Sequence, residues 1–378
     1  MPLFLDDDQT MLADTVRPFM AERAPVRHLR ALRDAADPTG FSRDLWQSFA
    51  EMGFTGVLVG EAHGGLGLGQ VEAGIILEEI GRNLAPSPFL STSVGAAAAL
   101  ASAAAPAQAR FLSRIADGTL IAALAFDEAS RHRPTRVAMR AQRSGNGFRL
   151  TGEKRFVAHG HVADLILVSA RTAGADDDAD GITLFAVEQG AAGLTATPER
   201  LADSSLASHL RLDGVTVDAD AVIGEIDAGS SGLACVLGAV RVGAAAELVG
   251  VAAGAMRMTV DYLGTRKQFG QTIGSFQALQ HRAAHLYAEL EVARAAVLKA
   301  QQLLDTGDPQ ATRATHVAKA LSGLASTLAV QESVQMHGGI GMTDDYDIGF
   351  FMKRARVLGE LFGDADHHAD QLARLSGY

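Results

Sequence analysis

The stretch that decides the architecture is TLIAALAFDE, residues 119–128. Before it, apolar residues recur at three-to-four spacing; from it onward they alternate or run in short β-branched blocks, so the chain changes from helix to strand here. Working back, DDQTMLADTVRPFMAERA (7–24), SRDLWQSFAEMG (42–53), QVEAGIILEEIGRNL (70–84) and PAQARFLSRIADG (106–118) predict helices, with Asp, Ser or Pro at their starts and Gly at their stops. GEAHGGLGLGQ (60–70) reads as a turn-rich connector, because its glycines do not stand between a strand and a phosphate-binding helix. Working forward, FRLTGEKRFVAHG (148–160), ADLILVSART (163–172), GITLFAVEQ (181–189) and HLRLDGVTVDADAVIG (209–224) predict strands joined by Gly, Asn and Asp turns. Long helical patterns return over 229–264, 275–306 and 309–337, with a shorter one over 345–375, which suggests a bundle. The expected fold is α+β: a helical domain over 1–117, an all-β domain over 118–228 and a helical bundle over 229–378.

A chain of 378 residues can bury several cores. Its 33 basic and 44 acidic side chains leave a net charge of −11, which argues against nucleic acid or an anionic membrane as a general partner. The single cysteine, Cys235, cannot form an internal disulfide and stands in an apolar context, so a buried inert thiol in a reducing compartment is expected. MPLFLDDDQTML carries acids where an export signal has basic residues. The apolar run SVGAAAALASAAAPAQA (93–109) falls short of the roughly 20 strongly apolar residues of a span. A soluble cytoplasmic protein is expected. The acidic tract GADDDADG (174–181) reads as a solvated hairpin loop rather than a metal site, and no metal centre is expected elsewhere. HRAAH (281–285) has Arg282 where a zinc protease has glutamate, and DADHHADQ (364–371) reads as a helix start on the surface.

Three features of the last third carry chemistry. TRKQFGQTIGSFQALQH (265–281) breaks two long helices with Arg266, Gln268, Phe269 and two glycines, groups suited to a ligand that is anionic at one end and planar at the other, and equally to an ordinary connecting turn. VQMHGGIGMTDDY (334–346) is a glycine-rich turn after a helix. RVGAAAELVGVAAGAM (241–256) is built of Ala and Gly around one carboxylate, Glu247. Small residues there would leave room for a ligand, and burial among them would favour a carboxyl group that gains a proton easily.

Together these stretches resemble the acyl-CoA dehydrogenase family, through the Arg-x-x-Phe-Gly-x-x-Ile-x-x-Phe-Gln pattern, the VQMHGGIGMTDDY turn and GEAHGGLGLG with LEEIGRNLAPSPFL. Within the family the likeness is nearest to small subunits of pimeloyl-CoA dehydrogenases, through TVDYLGTRKQFG, IGSFQALQHRAA and LFGDADHH. The resemblance implies a helical domain, a middle β-barrel and a carboxy-terminal four-helix bundle. It also implies FAD as cofactor, with Arg266, Gln268 and Phe269 on its pyrophosphate and adenine from a neighbouring subunit. Phe276 and Gln277 would lie beside the adenosine, and Gln335, Gly338 and Gly339 would form the second, subunit-bridging part of that site. Phe156 stands where the family has a flavin-covering Trp, and Ala158 where it has a hydroxyl. Arg241 is the expected substrate-binding residue. The implied reaction removes the α-proton of an acyl-CoA with a base while flavin N5 takes the β-hydride, as in β-oxidation of fatty acids. Electron-transfer flavoprotein is the implied acceptor, and the implied assembly is a homotetramer or an α2β2 tetramer.

Two departures concern the base. Many members carry a glutamate immediately before a late glycine; here that glycine is Gly363 and the residue before it is Phe362. Others carry it before the arginine that is Arg241 here, and that position is Val240. Glu247 is the only carboxylate between Arg241 and Asp261, which makes it the candidate base. The alternatives are a catalytically silent subunit that completes a partner's FAD site, and an oxidase that passes electrons to oxygen.

Overall fold

The computed structural model describes residues 3–378; Met1 and Pro2, the head of the stretch read for an export signal, lie outside the described residues. The first third is helical: α1 (Asp7–Arg23), α2 (Val26–Asp34), α3 (Arg43–Glu51), α4 (Gln70–Asn83), a π-helical segment Leu90–Ala96 that runs into α5 (Ala97–Leu100), and α6 (Ala105–Ala116). Local chemistry sets their ends. Asp6 and Gln9 close a capping box on α1, and Ser42 accepts from Leu45 N at the start of α3.

The strands are β1 (Ala122–Ala125), β2 (Arg140–Ser144), β3 (Gly147–Ala158), β4 (Leu165–Arg171), β5 (Ile182–Glu188), β6 (Leu194–Arg200), β7 (Leu206–Val217) and β8 (Val222–Ile223). They pair in the order β6-β7-β3-β2-β4-β5-β8, with β1 parallel to β4, in one eight-stranded mixed sheet. All seven residues of β4 are buried, which explains why LILVSAR reads as a run rather than an alternation. The chain then enters α7 (Gly229–Thr265), makes a hairpin of β9 (Lys267–Gln268) and β10 (Gln271–Thr272), and finishes with α8 (Gln277–Asp305), α9 (Ala311–His337), α10 (Ile348–Glu360) and α11 (Ala365–Leu375). The expected helix over 345–375 is therefore two. The break falls at Phe362 and Gly363, which have φ of +61° and +105°, and Asp364 caps the new start by accepting from His367 N at 2.7 Å.

The described residues divide into two compact units: 3–31, 70–86 and 241–378 form one, 32–69 and 87–240 the other. In the second, Phe49 meets Phe54 and Phe89 edge-on, and Phe148 meets Phe185, so aromatic pairs knit its core. The acidic tract is an exposed loop, as expected, and is wrapped on one buried cation. Arg171 donates to the carbonyls of Asp176, Asp178 and Asp180 and to that of Val137, so the loop's peptide oxygens gather on it, while the Asp178 carboxylate accepts from Ala175 N and that of Asp176 from Arg140.

In the first unit, Leu84, Val251, Ala255, Val330, Ile348 and Phe351 form the core. The glycines of α4 and α7 are what bring those helices together. A Cβ on Gly81 would stand 2.1 Å from the Glu247 carbonyl oxygen, one on Gly250 would stand 1.9 Å from that of Glu78, and one on Gly254 would meet the Phe351 ring and the Arg82 carbonyl. Backbone therefore lies against backbone. The most apolar long segment is α7 rather than 93–109: it is long and apolar enough to cross a membrane, and 78% of its most apolar window is buried inside the fold, as in a core helix. Near its start Cys235 is exposed, which corrects the expectation of a buried thiol: Leu233, Val236 and Leu237 turn inward, while Ala234 and Cys235 share the outer face of the helix.

Candidate functional site

Glu247 lies in the middle of α7 and is 2% exposed. Arg354 of α10 reaches it with two hydrogen bonds to the same oxygen, Nε to Oε1 at 2.9 Å and an η-nitrogen to Oε1 at 2.5 Å. The acid that the sequence leaves without a nearby cation has one 107 positions further along the chain. A proton taken up on Oε1 would displace a guanidinium bond. The small residues around Glu247 do not leave a chamber: Ala244, Ala245, Ala246, Leu248 and Val249 are all buried, and Gly250 is filled by the α4 backbone. That corrects the reading of an Ala/Gly wall with open space beside it.

The other two base positions are apolar in space as in sequence. Val240 is fully buried, and Phe362 sits on the left-handed turn between α10 and α11. Arg241 does come to this turn, donating from Nε to the Phe362 carbonyl at 3.2 Å. Behind the turn stands a cluster that sequence reasoning missed. Lys319 of α9 donates to the carbonyls of Leu358, Gly359 and Gly363, and the Nδ1 atoms of His316 and His368 are 2.8 Å apart. His368 is fully buried, which corrects the surface reading of DADHHADQ; its polar neighbours along the chain face outward while this one side chain turns in. Burial first, then Arg241 and His367, pushes His316 down to about 4. Burial first, then Lys319 and Arg241, pushes His368 down to about 2. Both rings are therefore neutral near pH 7.

The predicted cofactor contacts fall at one end of the helices. Arg266, Gln268 and Phe269 lie on the β9–β10 hairpin; all are exposed, and Phe269 is 90% exposed with φ +54°. Phe276 precedes α8 and meets Phe269 edge-on at 6.2 Å, with exposed Gln277 next to it. Gln335, Gly338 and Gly339 are exposed at the end of α9. Tyr262, near the end of α7, stacks on His337 at 4.5 Å, so the hairpin and the glycine turn leave from adjacent helix ends. The structure brings these two groups of residues together.

These residues fit a dinucleotide. Among the described residues Arg266 has no ion-pair partner, Gly338 takes φ +65°, and neither Gly338 nor Gly339 has any atom within 4 Å of where a Cβ would stand. A guanidinium and a carboxamide can bind phosphate oxygens, the two rings can cover a planar base, and the glycines leave the backbone open to a close approach. In the other unit, Phe156 is 46% exposed with φ +54° on a bulge where the β3–β7 register shifts between Lys154 and Val157. A bulge re-aims the side chain it carries, and here it presents a ring face. Ala158 offers no hydroxyl beside it.

Three comparisons bear on these residues. Segments 6–119, 127–215 and 232–376 match the families described as acyl-CoA dehydrogenase N-terminal, middle and C-terminal domains. The chain is 32% identical to acyl-CoA dehydrogenase FadE12 of Mycobacterium tuberculosis, over 86% of this chain and 85% of the relative. It is 30% identical to cyclohex-1-ene-1-carbonyl-CoA dehydrogenase of Geobacter metallireducens, over 93% of both chains. Among solved structures it is similar to a chain of the ChsE4–ChsE5 complex of Mycobacterium tuberculosis, with a TM-score of 0.90 and 26% identity over 100% of this chain and 99% of that one.

Proposed function

We propose, from the premise that this chain belongs to the acyl-CoA dehydrogenase family, that it works as one subunit of a mixed, α2β2-type dehydrogenase. The chain is a flavoprotein dehydrogenase of acyl-CoA thioesters. In the proposed assembly it supplies the FAD-holding surface, and the carboxylate that removes the α-proton comes from the partner subunit. One observation carries the reading: Val240 and Phe362 hold the two familiar base positions with apolar side chains, and the remaining acid, Glu247, is buried on Arg354. Arg266, Gln268, Phe269, Phe276 and Gln277 would hold the diphosphate and adenine end of FAD, with Gln335, Gly338 and Gly339 beside them and Phe156 against the flavin. When bound, FAD supplies the acceptor for the β-hydride. Arg241 orients the Phe362–Gly363 turn in this reading rather than the acyl group directly.

A second reading keeps Glu247 as the base. It is favoured by Arg354, whose side chain is about one quarter exposed and so has somewhere to swing. A dicarboxylyl-CoA such as pimeloyl-CoA, or a steroid-derived acyl-CoA, is the proposed substrate class. Electron-transfer flavoprotein is the proposed acceptor, and the cytoplasm the proposed compartment.

The test is the flavin absorption spectrum of the purified chain, alone and co-expressed with a paired dehydrogenase subunit, before and after a panel of acyl-CoAs. Bleaching only in the mixed assembly, unchanged within about twofold by Glu247→Gln in this chain, is the expected result. Bleaching by this chain alone, abolished by the same substitution with flavin retained, would replace the first reading with the second. Peroxide formed in step with turnover would make the assembly an oxidase.

A further inference from the structure

We propose that Lys319 is a positioning residue that, together with Arg241, clamps the Phe362–Gly363 turn in its left-handed form. The functional weight of that turn rests on the reading above. The clamp itself rests on geometry in one compact unit. The last carbonyls of α10 have no donors within their helix, and the turn that follows puts two consecutive residues at positive φ, one of them a phenylalanine. Its own amides supply little: Gly363 N bonds Glu360 O at 3.1 Å and Leu361 N bonds Val357 O at 3.2 Å.

Side chains from two other helices supply the rest. Lys319 Nζ donates to Gly359 O and Gly363 O at 2.9 Å and to Leu358 O at 3.3 Å, so an ammonium with three N–H groups meets three carbonyls. Arg241 takes a fourth, that of Phe362. The histidines form the floor. A Cβ on Gly363 would stand 2.5 Å from His367 Cδ2 and 3.0 Å from His368 Nε2, so only glycine fits over them. The Nδ1–Nδ1 contact of His316 and His368 requires one ring to donate and a neutral ring to accept, so at most one of the two can be charged; with both pushed well below 7, the charge there rests on Lys319 and Arg241.

The clamp has a built-in sensitivity. Lys319 is 1% exposed, and burial, then Arg241, pushes its ammonium down to about 7, against a pull from Asp364 and Glu360. The charged and titratable groups around it are Arg241 from α7, His316 from its own helix, Glu360 from α10, Asp364 of the turn, and His367 and His368 from α11. Loss of the proton leaves two N–H groups for three carbonyls, so the turn loosens as pH rises through about 7.

Hydrogen–deuterium exchange of the peptide covering 358–364, in the purified flavin-loaded assembly from pH 6 to 9 and corrected for intrinsic exchange, tests this. Protection in the unmodified protein should fall about tenfold as pH rises, while the α8 peptide stays level. Lys319→Gln should expose 358–364 at every pH, and Lys319→Arg, which stays charged, should restore protection and flatten the profile. A flat profile in the unmodified protein overturns the clamp without any variant, as does a Lys319→Gln protein with normal protection. The dehydrogenase reading fails separately: Phe362→Glu places a carboxylate on the held turn and should give this chain flavin bleaching of its own, lost again on adding Lys319→Gln. Absence of that gain with the exchange result intact sinks the reading of the turn and leaves the clamp standing.

Discussion

Removing Arg354 should cost more than removing the acid it serves. In Arg354→Met the Glu247 carboxylate stays 2% exposed and loses two guanidinium hydrogen bonds, and an uncompensated buried charge of this kind costs about 3–5 kcal/mol. In Glu247→Gln the side chain keeps its shape and one carbonyl oxygen, and Arg354 can turn its partly exposed head to water, so the cost should be about 1–2 kcal/mol. The double variant should be more stable than the sum of the two losses implies, with a coupling of about 2 kcal/mol, inside the range for residues in direct contact. Urea unfolding followed by far-UV circular dichroism, at fixed flavin loading and with m unchanged across the set, reads all four proteins. A cost below about 1 kcal/mol for Arg354→Met, or strict additivity in the double variant, would falsify the view of Glu247 as an acid locked into the packing.

Four further outcomes follow from the same structure. Gly81→Ala drives a Cβ to 2.1 Å from backbone and should cost about 3 kcal/mol or prevent folding, whereas Gly264→Ala meets nothing within 4 Å; expression yield and unfolding midpoints separate them. Phe269→Ala should change stability by less than about 0.5 kcal/mol yet lose FAD and the assembled form on gel filtration, because the ring is exposed in the single chain. Arg171→Met removes the guanidinium from three loop carbonyls, of which, among the described residues, only that of Asp176 keeps another donor, the Val137 amide, and should open 174–181 to limited proteolysis. His316 and His368 have folded pKa values of about 4 and about 2, below the 6.5 of the unfolded chain. Between those limits the unfolded state binds more protons, so stability should fall as pH drops from 6.5 toward 4. His368→Gln should flatten that slope, and midpoints at pH 7, 6 and 5 are the check.

The helices of the last third were legible almost to their ends: 229–264, 275–306 and 309–337 are observed as Gly229–Thr265, Gln277–Asp305 and Ala311–His337. Their starts and stops are local matters of glycine, hairpin and cap. The break at 361–364 is written in the same way, in a glycine followed by an aspartate cap. The proposed cofactor contacts read as a set because a short hairpin and one glycine turn carry nearly all of them. The surroundings of Glu247 were not. Periodicity says that a residue faces inward; it does not say which of the arginines elsewhere in the chain will meet it, and the partner lies in another helix, 107 positions away. Lys319 and His316 are hidden for the same reason, since each is ordinary in its own segment and unusual only in company, and DADHHADQ does not show which of its side chains turns inward.

The small residues of α7 and the acid among them belong to one device. Gly81 and Gly250 let α4 and α7 approach until a peptide oxygen of each stands where the other's Cβ would be. Such an interface has few side chains with which to fix the register of a 37-residue helix. A slip by one residue would swing every side chain of α7 through about 100°. Glu247 would then leave Arg354, and a carboxylate that is 2% exposed would lose both of its guanidinium hydrogen bonds. A buried ion pair adds little net stability over a well-packed apolar pair, yet it penalises every wrong register by several kcal/mol. On this reasoning Glu247→Leu with Arg354→Met should fold as stably as the unmodified chain, to within about 1 kcal/mol. The loss should appear instead as broadened methyl resonances from Ala244, Ala245 and Ala246, because α7 could then sample neighbouring registers. Sharp resonances in the double variant would leave the acid without this structural purpose and return weight to a catalytic one.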